Sequence, residues 1–130
     1  MLALEDMKKF TEEKVKEELE TYYSGDGVEK EEVHNFLKNA EVLVAYESTG
    51  SWGCDSSSFF LFRKGKKRPA YYTVYGSHCS CYGFEGQFVP EKVSVEYLKS
   101  KQFCPYIGGY DEDPEGNRKA IRDFMQGLPD

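Results

Sequence analysis

No stretch of this 130-residue chain reaches the roughly 20 apolar residues that a membrane-spanning helix requires, and no membrane partner is expected. There is no Asn-x-Ser/Thr sequon. Gly-rich phosphate loops, His-Glu-x-x-His and Gly-x-Ser-x-Gly are also missing, and with them the commonest nucleotide, zinc-protease and serine-hydrolase signatures. The opening Met1-Leu2-Ala3-Leu4 turns acidic at Glu5-Asp6, the reverse of the order a signal peptide needs, so a cytoplasmic protein with reduced cysteines is expected. Net positive charge is lacking too. Residues 1–41 hold 6 basic and 12 acidic residues, whereas residues 42–130 hold 11 of each. That acidic first third argues against nucleic acid as a partner.

What is present is bulk. Twenty aromatic residues accompany a 39% apolar fraction, and a chain of this length buries about two-thirds of its unfolded surface without a disulfide or metal staple. Length alone points to one domain spanning 1–130. Leu4, Met7, Val15, Leu19 and Tyr22 recur at helical spacing and predict a long amphipathic helix over 3–23. Ser24-Gly25-Asp26-Gly27 ends it. A second helix from about Glu29 to Asn39 has Val33, Phe36, Leu37 and Ala40 as its apolar stripe.

The period then changes. Val42 to Tyr46, Ser58 to Arg63 and Ala70 to Tyr75 read as three strands, the last two joined across the basic tip Lys64-Gly65-Lys66-Lys67-Arg68. An antiparallel meander is the simplest pairing. Lys92 to Lys99 reads as a strand followed by a helical turn. Asp113 and Pro114 open a final helix with Ile121, Phe124 and Met125 on its apolar face, and Gly127 stops it. The expected fold is α+β: two N-terminal helices (the acidic part, 1–41), a central antiparallel sheet of three to four strands (42–98), and a closing segment and helix (99–130), with the helices on one sheet face.

One segment stands out chemically. Two cysteines, a histidine, an acid, an amide and three glycines fall between Gly76 and Gln87. Four readings compete. In the first, His78, Cys79, Cys81 and Cys104 bind zinc, with Cys54 as a spare, although Cys-x-Cys is tighter than the usual zinc turn. In the second, Cys79 or Cys81 is a nucleophile activated by His78 or His34 and oriented by Glu85 or Gln87. In the third, Ser77, His78, Tyr82, Glu85 and Gln87 line a ligand or partner loop, with Trp52 and Tyr75 as its apolar wall. In the fourth, the cysteines pack as small core residues and no cofactor is needed. Asp111-Glu112-Asp113 offers too few ligands at calcium-loop spacing, and Asp113 is already committed as a cap.

The run Gly76-Ser77-His78-Cys79-Ser80-Cys81-Tyr82-Gly83-Phe84-Glu85-Gly86-Gln87-Phe88, followed by Pro90-Glu91, resembles a block in a family of small uncharacterised bacteriophage and prophage proteins. The resemblance spans about residues 42–98. It implies an accessory protein acting inside a bacterium by binding a host component, and it implies no mechanism. The leading expectation is a non-enzymatic binding protein directed at a host protein. The others are a zinc- or thiol-dependent protein and a small-ligand sensor using the 77–87 loop. A homodimer fits as well, since symmetric dimers are the commonest oligomers.

Overall fold

The computed structural model describes residues 1–24, 28–49, 55–78, 83–105, 107 and 111–129. The elements are β1 (Leu2–Glu5), a 3₁₀ turn (Asp6–Lys9), α1 (Glu12–Tyr22), α2 (Val28–Leu37), β2 (Ala40–Thr49), β3 (Ser56–Lys64), β4 (Ala70–His78), β5 (Glu91–Val93), α3 (Val95–Lys99) and α4 (Pro114–Gln126). The class is α+β. The sheet is mixed rather than antiparallel, with five strands in the order β1-β2-β3-β4-β5. The expected meander is its β2-β3-β4 centre. β5 adds an antiparallel edge beside Tyr71–Thr73, matching the strand and helical turn expected over 92–99.

The N-terminus departs from expectation. Residues 2–5 form a parallel edge strand, with Leu2 opposite Val44 and Glu5 opposite Glu47. Parallel neighbours need a long crossover, and α1 and α2 supply it. The helical spacing of Leu4 and Met7 is real, but the open edge of β2 competes for the same backbone groups. Glu5 turns the chain out of the strand at φ 52°, a left-handed conformation incompatible with a continuous helix. The helix begins instead at Thr11, whose side chain accepts the Lys14 N–H at 3.2 Å, with Glu12 and Glu13 in its first turn. Its buried series is Val15, Leu19 and Tyr23, while Tyr22 is exposed.

Helices cover both faces of the sheet, not one. α1 and α2 pack Val15, Leu19, Val33 and Leu37 against Val42, Ala45, Phe60, Phe62 and Val74. On the other face α3 and α4 pack Leu98, Ile121 and Met125 against Val44, Tyr46, Phe59, Leu61 and Tyr71. Phe59 to Phe62 are all fully buried for this reason. A bulge between Val42 and Val44 resets the alternation of β2, and the Val42 N–H there donates to Glu12 Oε1 at 2.8 Å. Among the described residues, no helix is long and apolar enough to cross a membrane.

Candidate functional site

β1, β2 and β4 all end at one edge of the molecule, because β1 and β2 run parallel and β4 runs parallel to β2 through the antiparallel β3. Thr49, Ser56 and His78 therefore come together there. The 83–88 segment folds back over this end on the α1 side. Three contacts hold it. The Gly86 N–H donates to the Tyr23 carbonyl at 3.1 Å. The Phe84 ring stacks on the Tyr23 ring, 4.4 Å between centroids and 6° from parallel. The Gln87 side chain grips β4: its Oε1 accepts the Ser77 N–H at 2.7 Å, and its Nε2 donates to the Ser77 carbonyl at 2.7 Å and the Gly83 carbonyl at 3.0 Å. Gln87 thus acts as a one-residue strand on the open edge of β4, and its amide is committed to backbone.

Tyr23 is itself fixed from below. Its hydroxyl shares a short hydrogen bond with Ser58 Oγ, and burial drives its pKa well above the usual tyrosine value. Gly76 lets this contact form: a Cβ there would stand 2.6 Å from Ser58 Oγ and 2.8 Å from the Tyr23 ring.

Between α1, the 3₁₀ turn, the ends of β2–β4 and the 83–85 segment lies a cleft of about 470 Å³. Phe10, Tyr22, Tyr23, Phe60 and Phe84 give it aromatic walls. Its carboxylates are Asp6, Glu18, Glu47 and Glu85, set against Lys9 and His78. Asp6 accepts the Thr49 hydroxyl at 2.6 Å, and Glu18 lies 3.5 Å from Lys14 Nζ. Among the described residues, the Glu47 and Glu85 side chains have no hydrogen-bond or ion-pair partner. Glu47 is the more enclosed of the two. Burial, then the charges of Asp6 and Glu18, push its pKa up from 4.5 to about 7, against the opposing pull of Lys9.

The expected site residues divide accordingly. His78, Ser77, Glu85 and Gln87 lie in or beside this cleft, with the His78 ring 5.4 Å from Phe84. Gln87 and the Ser77 backbone build the loop rather than face a ligand. Trp52, Cys54, Cys79, Cys81 and Tyr82 lie outside the described residues. Tyr75, the expected second wall, is on the opposite sheet face against Phe59. Cys104 is exposed and lies on that opposite face too. The Tyr75 pKa is pushed up to about 12, by burial first and then by its neighbours Tyr97, Glu91 and Cys104. Among the described residues, no three His, Cys, Asp or Glu side chains are grouped to hold a metal. His34, the alternative base, is engaged elsewhere, its Nδ1 2.8 Å from Glu20 across the α1–α2 contact.

Asp6, Glu47, Tyr23 and Phe84 were not legible as site residues. The first two face the cleft only because β1 pairs with β2, a contact local pattern does not report. Phe84 sits inside the distinctive segment, and its place between Gly83 and Glu85 was the available signal.

No family model matches this chain, and no curated protein or solved structure shows significant similarity to it.

Proposed function

We propose that this is a binding protein whose ligand site is the cleft between α1 and the end of the sheet, and that the ligand is a small molecule. One observation carries this: an aromatic-walled cleft of about 470 Å³, within the volume range of ligand sites, stands where residues 83–88 fold over the strand ends. Its aromatic wall is pre-formed, since Tyr23 is held by Ser58 and stacked on Phe84, and Gln87 ties the segment carrying Phe84 to β4. A rigid site avoids the ordering cost that weakens a floppy one.

The test is a thermal-shift screen of a metabolite library against the full chain and a Thr49→Tyr variant. Thr49 is exposed at the cleft mouth, and a tyrosine there would obstruct it while suiting a strand. A ligand at a hundredfold its Kd stabilises the folded state by about 2.7 kcal/mol. Hits that raise the melting temperature of the parent and not of the variant support the reading. An absence of hits, or hits indifferent to Thr49→Tyr, would overturn it.

A protein partner is the second reading. Tyr22 and Val89 are left 54% and 69% exposed, Tyr22 lining the cleft and Val89 a neighbouring groove. Exposed apolar side chains beside concave surface are a feature of partner sites. A tagged chain should then retain a host protein that a Val89→Glu variant of unchanged melting temperature loses. Equal retention by both would dismiss this surface.

A further inference from the structure

We propose that the cleft selects an organic cation, an ammonium or guanidinium head on an apolar body, and that Glu47 is its counter-ion. The proposal rests on the small-ligand reading above and names the ligand's chemistry.

Three features of the cavity converge on this class. Its walls are aromatic, and aromatic faces attract cations as well as apolar groups. Its charge is unbalanced: four carboxyl groups face one lysine and one histidine, and the lysine Nζ is drawn 5.2 Å from the Phe10 ring. Finally, Asp6 and Glu18 have close partners of their own, whereas the Glu47 side chain has no hydrogen bond or close ion pair among the described residues and feels only the more distant charge of Lys9. A part-buried carboxyl without a donor lacks its preferred partner, and a donor cation would complete it. A small anion would meet Asp6, Glu18 and Glu85 as like charges. An organic cation, unlike a metal ion, needs only one such carboxylate plus apolar surface.

The arrangement has a consequence that a purely structural Glu47 would not have. Near neutral pH this carboxyl holds a proton for a substantial part of the time, through burial and the adjacent Asp6 and Glu18. A cation arriving beside it favours the ionised form, so the proton leaves to solvent as the cation binds. Lys9, His78, Glu85, Tyr22 and Tyr23 are the other charged or titratable groups facing the cleft.

The experiment is isothermal titration of the full chain at pH 7 in two buffers of different ionisation enthalpy. The probes are phenethylamine and agmatine, compared with the neutral 2-phenylethanol and the anionic 3-phenylpropionate. The amines are expected to bind at least about tenfold more tightly than the neutral and anionic probes, with a buffer-dependent enthalpy that reports proton release. In Glu47→Gln the amine affinity should fall about tenfold and the buffer dependence should vanish. Thr49→Tyr should lose all four probes. Equal binding of neutral or anionic probes at the cleft, or amine binding unchanged by Glu47→Gln, would overturn the cation proposal and leave the small-ligand reading intact. Failure of every probe to bind, with an empty metabolite screen, would overturn both.

Discussion

The rings of Tyr23 and Phe84 stack 4.4 Å apart and nearly parallel, joining the end of α1 to a residue 61 positions downstream. One ring comes from the helix that crosses between the two parallel strands, the other from the segment after β4. They meet over Ser58 and Gly76, and together they form one aromatic wall of the cleft.

Gly76→Ala tests that contact. The added methyl would lie within 3 Å of Ser58 Oγ and the Tyr23 ring, closer than real contacts allow. The Tyr23 ring must then shift. Overpacking of this kind costs about 1–3 kcal/mol. Urea unfolding of Gly76→Ala should show a loss in that range. The same change with Tyr23→Leu, which removes the clashing ring, should lose less than the sum of the two single variants. Strict additivity would show that the contact is looser than described.

Gln87→Ala removes one accepted and two donated hydrogen bonds to the Ser77 and Gly83 backbone. Each net hydrogen bond contributes about 0.5–1.5 kcal/mol, and these are partly exposed. The expected cost is about 1–2 kcal/mol. Amide exchange should localise the change: the Ser77 N–H, protected in the parent, should exchange much faster in the variant. Unchanged protection would mean that the clamp does not persist in solution.

Glu47 gives stability a definite pH dependence. Its folded pKa of about 7 exceeds the ordinary 4.5, so the folded chain keeps a proton that the unfolded chain releases. The contribution is intact below about pH 4.5, falls as pH rises to about 7, and is fully lost above. Since one pKa unit corresponds to about 1.36 kcal/mol, the span is about 3 kcal/mol. Glu47→Gln should match the parent near pH 4 and exceed it by up to that amount at pH 8. Parallel stability curves for the two chains would contradict the burial assigned to this carboxyl.

Much of this architecture is legible in the residues. The strands at Phe59–Phe62 and Ala70–Tyr75, the Asp113-Pro114 start of α4 and its Gly127 end are all local signals that survive folding. The unbroken apolar run at 59–62 fits a strand covered on both faces, yet the helices were expected on one face only. What local pattern misses is pairing at a distance. Leu4 and Met7 fit a helix, yet residues 2–5 are claimed by the edge of β2 some forty residues later. The site was half legible for the same reason. His78 and Glu85 belong to a visibly unusual segment, but their neighbours Asp6, Tyr23 and Glu47 reach them only through the sheet and α1. Asp111, weighed as a cation ligand, is instead a buried anchor.

That anchor offers a fourth test. Tyr46 on β2 donates its hydroxyl to Asp111 Oδ2 at 2.5 Å, and Asn117 Nδ2 donates to the same oxygen at 2.8 Å. The Asp113 N–H donates to Asp111 Oδ1 at 2.7 Å, tying the start of α4 to the sheet. Hydrogen bonds to charged groups contribute about 1.5–3 kcal/mol. Tyr46→Phe should lose stability in that range by denaturant titration and leave cleft ligands unaffected, because Tyr46 faces the α4 side. A neutral substitution would remove this bond from the forces holding α4.

The most direct measurement of the central claim is amide chemical-shift mapping of the ¹⁵N-labelled chain with a hit from the metabolite screen. The account predicts saturable shifts concentrated at Glu47, Thr49, His78, Phe84 and Glu85, with Tyr75 and Cys104 on the opposite face unmoved. Saturable shifts centred on Tyr75, Tyr97 and Cys104, with the cleft silent, would contradict it and place binding on the other side of the sheet.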